Sequence, residues 1–176
     1  KACKRVQPFL AGGSLTALLK KDGGIRPIAV GDVLRRLTGK ALVRAQKKEL
    51  VRHFSPLQVG VAVPCGAEAV AHGWKIIMEL FADDPDIVAV KVDFDNAVNH
   101  ANRALCLLHF PELYGLQGYD VPEVILSQQG TQQGCPFGSF LYCLILHKLV
   151  VRISLFCPDL KLHTWFMDDG SIIGKT

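Results

Sequence analysis

The stretch that decides the fold of this 176-residue chain reads Thr164-Trp165-Phe166-Met167-Asp168-Asp169-Gly170-Ser171-Ile172-Ile173. Two apolar runs flank a pair of acids followed by Gly170, which predicts a β-hairpin with Gly170 supplying a positive φ at the turn. Adjacent carboxylates repel each other at such a tip, and a bound cation is the simplest reason to keep both ionised. Because Asp and Gly are also ordinary turn residues, a plain turn remains an alternative.

A third acid follows the most strand-like segment of the chain, residues 87–92. The β-branched and almost continuously apolar character of this segment predicts a buried central strand, with Asp93 at its end. If the terminal hairpin pairs with it, Asp93 lies near Asp168 and Asp169. Three clustered carboxylates need divalent cations, and oxygen ligands favour a pair of magnesium ions suited to phosphoryl transfer. For Asp93 alone, capping of the strand end or of the next helix is an equal alternative.

Composition and charge narrow the class of protein. With 49% apolar and 20% charged residues the chain is not disordered, and its longest unbroken apolar run, residues 140–146, is too short to predict a membrane span. The six cysteines form no Cys-x-x-Cys pair, which argues against a zinc site or a disulfide framework and favours an intracellular compartment. Residues 1–52 carry 13 Lys/Arg against 3 Asp/Glu, whereas residues 53–176 carry 7 against 13. A basic part that grips phosphate and an acidic part that collects metal would explain this asymmetry; two differently solvated surfaces are the alternative.

The remaining pattern predicts an α+β fold with helices on one face of a largely antiparallel sheet. Apolar runs at residues 14–19 and 25–30 predict a hairpin in which Pro27 prefers an edge strand. Asp32 is expected to cap a helix of about 20 residues. That helix carries a basic stripe formed by Arg36, Lys40, Arg44 and Lys47. Further helices are expected at residues 66–81, 97–109 and 137–156, and a short strand at 124–126.

A glycine-containing loop precedes the last long helix and reads Gly130-Thr131-Gln132-Gln133-Gly134-Cys135-Pro136-Phe137-Gly138-Ser139. Glycines around a Gln-Gln pair let a ligand approach the backbone closely. Taken alone, however, this segment indicates a loop followed by a helix start.

Together these segments resemble reverse transcriptases, most closely those of non-LTR (LINE-like) retrotransposons. The resemblance rests on residues 91–99, 130–138 and 166–170 in that order, and on residues 21–31 and 34–40 upstream. Gln58-Val59-Gly60-Val61 is similar to the stretch that follows. The resemblance covers most of the chain and implies a right-hand polymerase palm with partial fingers. It places the fingers at residues 1–60 and the palm at 61–176, as one continuous unit that ends just after the Asp-Asp hairpin, without a thumb.

The resemblance also implies a reaction and its cofactors. An RNA template, a DNA primer and dNTPs are the expected partners. No contact with a membrane is expected, and the protein is expected to act in the nucleus or the cytoplasm. Asp93, Asp168 and Asp169 would hold two Mg²⁺ ions, for which Mn²⁺ could substitute, with help from the Phe94 backbone carbonyl. The primer 3′-hydroxyl would attack the α-phosphate of a dNTP, with catalysis resting on positioning and charge neutralisation.

Further residues acquire roles through the same resemblance. Arg26, with Lys20 or Lys21, would grip the incoming triphosphate. Gln133 and Gly134 would lie along the nascent base pair and the template. The basic stripe of Arg36, Lys40, Arg44 and Lys47 would face the nucleic-acid backbone.

The chain departs from the family pattern at several points. Val98 stands where the family usually carries an aromatic residue that blocks a ribose 2′-hydroxyl, so weaker selection of deoxyribonucleotides is expected. Cys135 replaces the more usual acid after Gln-Gly. The segment between Asn99 and Gly130 is short, which together with the missing thumb indicates a fragment or a decaying element copy. A catalytically silent remnant that only binds nucleic acid, or another palm-type enzyme such as an RNA-dependent RNA polymerase or a nucleotide cyclase, are the alternatives; the Gln-Gln-Gly segment argues against a cyclase.

Overall fold

The first hairpin forms as the sequence predicts. The computed structural model describes residues 13–21, 23–95, 97–101, 118–119, 130–131 and 134–175. Strand β1 (Gly13–Leu19) pairs antiparallel with β2 (Ile25–Gly31). A short strand β4 (Gly118–Tyr119) runs parallel to β1 on its other side. Within the described strands β2 is therefore an edge strand, which suits the missing N–H of Pro27.

The helix that follows is shorter than predicted. Asp32 caps it as expected, since its Oδ1 accepts a hydrogen bond from the Leu34 amide at 2.8 Å. The prediction of one helix of about 20 residues is wrong: the chain forms α1 (Val33–Ala45) and α2 (Lys47–Phe54), separated at Gln46. The exposed apolar residues of α1 contrast with Leu50 and Phe54, which α2 buries, so the two segments do not share one apolar face.

The second sheet contains the strands that carry the predicted acidic residues at their ends. Helix α3 (Gly66–Leu80) agrees with its prediction, and β3 (Ile87–Val92) begins and ends where expected. Strands β5 (Leu162–Phe166) and β6 (Asp169–Lys175) form the terminal hairpin, and the sheet order is β3-β6-β5. The prediction that β3 is buried and central is wrong. Because β6 takes the central place, β3 is an edge strand among the described residues, and Val88 and Val90 are 43% and 46% exposed.

Two helices complete the described chain. Helix α4 (Ala97–His100) begins as predicted; the rest of the predicted helix at 97–109 and the strand at 124–126 lie outside the described residues. Helix α5 (Gly138–Phe156) confirms the long apolar helix. Its apolar residues divide between buried and exposed positions, with Cys143 and Val150 fully buried and Phe156 77% exposed.

By length and composition alone, α5 is apolar enough to cross a membrane. A core helix of a soluble protein meets the same criteria. The expectation that the chain contacts no membrane therefore stays a prediction.

The chain divides into two compact units, each discontinuous in sequence. One consists of residues 1–44 and 98–142, and the other of residues 45–97 and 143–176. In the second unit α3 packs against β5 and β6, and the fully buried side chains include Phe54, Trp165 and Ile173. The predicted boundary between fingers and palm at residue 60 stays a prediction.

Candidate active site

The pairing of β3 with β6 brings the predicted acidic residues to one end of the second sheet. The last pair in this antiparallel ladder is Val92 with Gly170. The next residues along the two strands are Asp93 and Asp169, which therefore stand beside each other. Asp168 precedes Asp169 in the two-residue turn between β5 and β6. The sequence predicts that the three acids converge if the terminal hairpin pairs with the strand before Asp93, and this pairing is present.

The electrostatics of the cluster follow from this arrangement. Burial raises the pKa of the Asp169 carboxyl, the negative charges of Asp168 and Asp93 raise it further, and the ammonium of Lys91 opposes them. The two neighbouring carboxylates thus disfavour ionisation of Asp169. A divalent cation would offset this repulsion.

The donor set fits magnesium in its chemistry. Three carboxylates supply oxygen ligands, which Mg²⁺ prefers over nitrogen or sulfur. Within the described residues, no three His, Cys, Asp or Glu side chains are close enough as they stand to form a metal site. The register therefore places the carboxylates at one sheet end, and their side chains would have to turn toward a shared ion. The role of Asp93, Asp168 and Asp169 as metal ligands stays a prediction.

The turn itself differs from the sequence prediction. The positive φ falls on Met167, at 57°, whereas Gly170 lies inside β6 and does not have one. Gly170 is required for a different reason: a Cβ at this position would lie 2.7 Å from Cη2 of Trp165. The glycine thus lets the buried indole pack closely against the strand.

The surroundings of the acidic cluster are apolar on their inner side. The rings of Phe94 and Trp165 stack with centroids 6.1 Å apart and planes 20° from parallel, which fixes the chain just after Asp93. On α5, burial raises the pKa of the Cys143 thiol to about 12, and the negative charge of Asp168 contributes to this rise. The thiol therefore stays neutral and adds no further charge to the cluster. The proposed help from the Phe94 carbonyl is not tested by these contacts.

The predicted triphosphate-gripping residues belong to the first unit. Lys20 and Lys21 lie in the β1–β2 turn, which is closed by a hydrogen bond from the Lys20 amide to the Gly24 carbonyl at 2.7 Å. Arg26 is exposed on β2 and pairs with Leu18 of β1. The hairpin thus presents three cations near one end, and their role in binding stays a prediction.

The loop before α5 is anchored through its backbone. The carbonyl of Val98 accepts hydrogen bonds from the amide of Thr131 at 2.7 Å and from its hydroxyl at 3.2 Å. Gly134 has a φ of 98°, and a Cβ there would lie 2.8 Å from the Ala29 carbonyl oxygen. Gly134 is therefore needed for its conformation and for close packing against β2. Gln133 lies outside the described residues.

The structure also shows where the residues of the predicted basic stripe lie. The predicted basic stripe is divided by the break at Gln46, with Arg36, Lys40 and Arg44 on α1 and Lys47 at the start of α2. All of these except the half-buried Arg36 are exposed.

Cys135 stands where the family resemblance leads us to expect an acid. Its Sγ accepts a hydrogen bond from the Arg35 guanidinium at 3.7 Å, so the loop is anchored differently at this position.

Gln58 also belongs to the site, although no role was predicted for it from the sequence. It is fully buried and contacts the backbone of Met167, immediately before the acidic pair. An amide placed between two apolar residues, with a glycine two positions later, was the available signal.

Comparisons with known proteins give one kind of likeness. No family model matches the chain, and no curated protein matches it. Among solved structures, the apo telomerase of Candida tropicalis matches with a TM-score of 0.58 and 12% identity, over 100% of this chain and 41% of that one. The same telomerase truncated from its C-terminal domain matches with a TM-score of 0.58 and 14% identity, over 97% and 45% of the two chains.

Telomerase from Candida albicans, solved with a fragment of telomeric RNA, matches with a TM-score of 0.55 and 13% identity, over 99% of this chain and 38% of that one. The chain thus spans less than half the length of these telomerases. At such low identity the likeness shows the fold alone. The predicted α+β, palm-like fold class is confirmed, because the chain shares the fold of the matching part of these telomerases.

Proposed function

We propose that this chain is the palm and partial fingers of an RNA-directed DNA polymerase similar to those of non-LTR retrotransposons. The observation that carries the proposal is the β3–β6 register, which sets Asp93 beside Asp169 and the adjoining Asp168. The telomerase-like fold supports the same reading. The RNA in the Candida albicans structure is consistent with nucleic acid as a partner.

The proposed reaction is nucleotidyl transfer. The primer 3′-hydroxyl transfers its proton to solvent water as its oxygen attacks the α-phosphate of a dNTP; the bond between the α-phosphorus and the oxygen bridging to the β-phosphate breaks, and pyrophosphate leaves. Asp93, Asp168 and Asp169 would hold two magnesium ions, which when bound supply charge neutralisation and activation of the attacking oxygen. Arg26, with Lys20 or Lys21, holds the triphosphate through charge-assisted hydrogen bonds. The cations of α1 position the nucleic-acid backbone without reading its sequence.

Metal-dependent primer extension tests the proposal. The chain, an RNA template annealed to a DNA primer, and dNTPs are combined with Mg²⁺ or Mn²⁺, and extension is measured on a gel. Asp168→Asn and Asp93→Asn should each lower the rate by about 1,000-fold, since loss of a metal ligand removes several kcal/mol of transition-state stabilisation. Asp159→Asn is the matched control, because Asp159 is exposed and lies outside the acidic cluster. Equal rates for the three variants would contradict the assignment.

The second candidate function is binding of nucleic acid without catalysis. It is favoured by the separation of the acidic side chains, since no three potential metal ligands among the described residues are close enough to form a metal site. A chain that only binds nucleic acid would retain binding through its basic residues and add no nucleotide. Its affinity for the RNA–DNA duplex would fall steeply with salt. Strong, salt-dependent binding together with no extension in either metal would favour this function over the polymerase.

Selection of the sugar provides a finer test of the same proposal. Val98 is half-buried on α4, and its side chain is smaller than the aromatic residue of the resembling family. We expect Val98→Phe to raise the preference for dNTPs over rNTPs by about 10-fold, as expected when steric fit to one small group changes. Incorporation of both nucleotide types by the two proteins measures the ratio. An unchanged ratio would show that Val98 does not face the ribose.

A further inference from the structure

The side chain of Gln58 holds both backbone polar groups of Met167. Its Nε2 donates to the Met167 carbonyl oxygen at 2.8 Å, and its Oε1 accepts from the Met167 amide at 2.8 Å. Gln58 is fully buried, and a buried amide is strongly directed by the partners it finds. The acidic pair begins at the next residue, so this contact lies directly beside the proposed chemistry.

Met167 needs such a contact because of its own conformation. It is the first of the two residues that connect β5 to β6, beyond the last ladder pair of Phe166 with Asp169. Its φ of 57° lies in the left-handed region, where residues other than Gly, Asn and Asp are uncommon. A residue stays in this region only when its surroundings impose it. Gln58 supplies that constraint from outside the hairpin.

Gln58 is itself fixed by the same sheet. The Val59 amide donates to the Trp165 carbonyl at 2.8 Å, and the Trp165 amide donates to the Leu57 carbonyl at 2.7 Å, so residues 57–59 run parallel to β5. The Gly60 amide donates to the second acceptor position of Gln58 Oε1 at 2.9 Å. A Cβ on Gly60 would collide with the Met167 backbone nitrogen, so only glycine allows this approach.

We propose that Gln58 is a positioning residue that fixes the backbone of the Asp168-Asp169 turn, so that the two carboxylates are offered to metal from one conformation. This inference rests on the proposed polymerase function for its catalytic consequence. Gln58 is uncharged, so its effect is on geometry and not on the charge of the cluster. Partners that orient metal ligands without touching the metal commonly change metal affinity by about 10- to 100-fold when replaced.

The first experiment uses Gln58→Met, which keeps an unbranched side chain of similar length and removes the paired donor and acceptor. In primer extension we expect the Mg²⁺ concentration at half-maximal rate to rise by about 10-fold or more and kcat to fall, with the KM for the primer–template unchanged. Thr164→Val is the control, because Thr164 is buried in β5 and its side chain makes no hydrogen bond to the turn among the described residues. An unchanged Mg²⁺ requirement in folded Gln58→Met would overturn the proposal.

The second experiment does not depend on activity. Amide hydrogen exchange of the ¹⁵N-labelled wild-type chain, measured by NMR without metal, should show protection of the Met167 and Gly60 amides. In Gln58→Met this protection should fall by about 10-fold or more, while the Trp165 and Ile173 amides keep theirs. Rapid exchange of the Met167 amide in the wild type would overturn the proposal even if Gln58→Met failed to fold. Protection in a chain that extends no primer would support the positioning role and contradict the polymerase.

Discussion

The two hairpins of this chain use the same pairing and differ in what stabilises them. In β1–β2, every residue of β1 after Gly13 is exposed, including Leu15 and Leu18. In β5–β6, Trp165 and Ile173 are almost completely buried, at 1% and 0% exposure. The first hairpin depends mainly on its ladder hydrogen bonds, whereas the second is also anchored by the burial of large apolar side chains.

This difference in burial agrees with the function that we propose for each hairpin. Carboxylates that share metal ions must be held in a fixed geometry, and a buried hairpin provides it. Cations that grip a flexible triphosphate can tolerate an exposed hairpin that adapts to its ligand. Substitutions that remove or add packing in one hairpin and not in the other test this contrast.

The largest difference is expected for truncation of an apolar side chain in each hairpin. Trp165→Ala should lower the free energy of unfolding by about 3–5 kcal/mol, because it removes a fully buried ring. Leu18→Ala, at a site that is 47% exposed, should change it by no more than about 0.5 kcal/mol. Urea unfolding followed by circular dichroism measures both. Similar losses for the two variants would show that the hairpins are stabilised alike.

Addition of a single methyl group gives a smaller effect. Gly170→Ala should destabilise the chain by about 1–3 kcal/mol, because its Cβ would meet the Trp165 ring. Gly73→Ala in α3 is the control: its Cβ would meet Leu162 Cδ1 at an ordinary 3.5 Å, so a gain of up to about 1 kcal/mol is expected. Thermal unfolding distinguishes the two signs. A neutral Gly170→Ala would mean that the indole moves readily.

The β5–β6 hairpin should also weaken in mild acid. The Trp165 indole donates to His163 Nε2 at 2.9 Å, and the remaining ring nitrogen contacts Ser154 Oγ at 2.8 Å, so the imidazole is neutral. Burial lowers the pKa of His163, and the unfolded chain therefore binds the proton more readily than the folded one. Stability from this source is present above the unfolded pKa of about 6.5 and is lost as the pH falls through the lower folded pKa.

Urea unfolding at a series of pH values from 7.5 downward measures this loss. His163→Gln can keep one donor and one acceptor without titrating, so its stability should depend less on pH than that of the wild type. Part of the slope should remain, since burial and the neighbouring His53 also lower the pKa of His147. Identical slopes for the two proteins would contradict the assignment to His163.

The smallest effect is expected at the acidic tip. Because burial and the neighbouring carboxylates raise the pKa of Asp169, its charge costs stability at neutral pH. Asp169→Asn should therefore stabilise the metal-free chain, by no more than about 0.5 kcal/mol, while abolishing any further stabilisation by added Mg²⁺. Thermal unfolding with and without Mg²⁺ tests both parts. A destabilised Asp169→Asn without metal would show that repulsion within the cluster is unimportant.

Most helices and strands of this fold were predicted correctly, because each is specified by residues that are close together in the sequence. The β-branched run of β3, the Asp32 cap and the long apolar α5 each follow from residues close in sequence. The position of β3 at a sheet edge did not follow, since an apolar run does not say which strand takes hydrogen bonds on both sides. The exposed Val88 and Val90 are the result.

The acidic residues of the candidate site could be predicted from the sequence, whereas the contacts that hold their turn in place could not. Acidic residues at strand ends indicated where charge would gather, and the register of β3 with β6 agrees. The left-handed residue was misplaced, because the preference of Gly for positive φ suggested Gly170 and tertiary contacts impose it on Met167. Gln58 lies 109 residues away from Met167, and no local pattern could connect them.

The two edges of the second sheet differ in a way that matters for handling the purified chain. Residues 57–59 lie along β5 at one edge, whereas no described strand covers the outer edge of β3, where Val88 and Val90 are exposed. An open edge strand presents unpaired amides and carbonyls to another extended chain, and the charge of Lys91 alone disfavours such pairing only modestly. Concentrated samples should therefore self-associate through β3, and a lysine introduced at Val88 should keep them monomeric in light scattering.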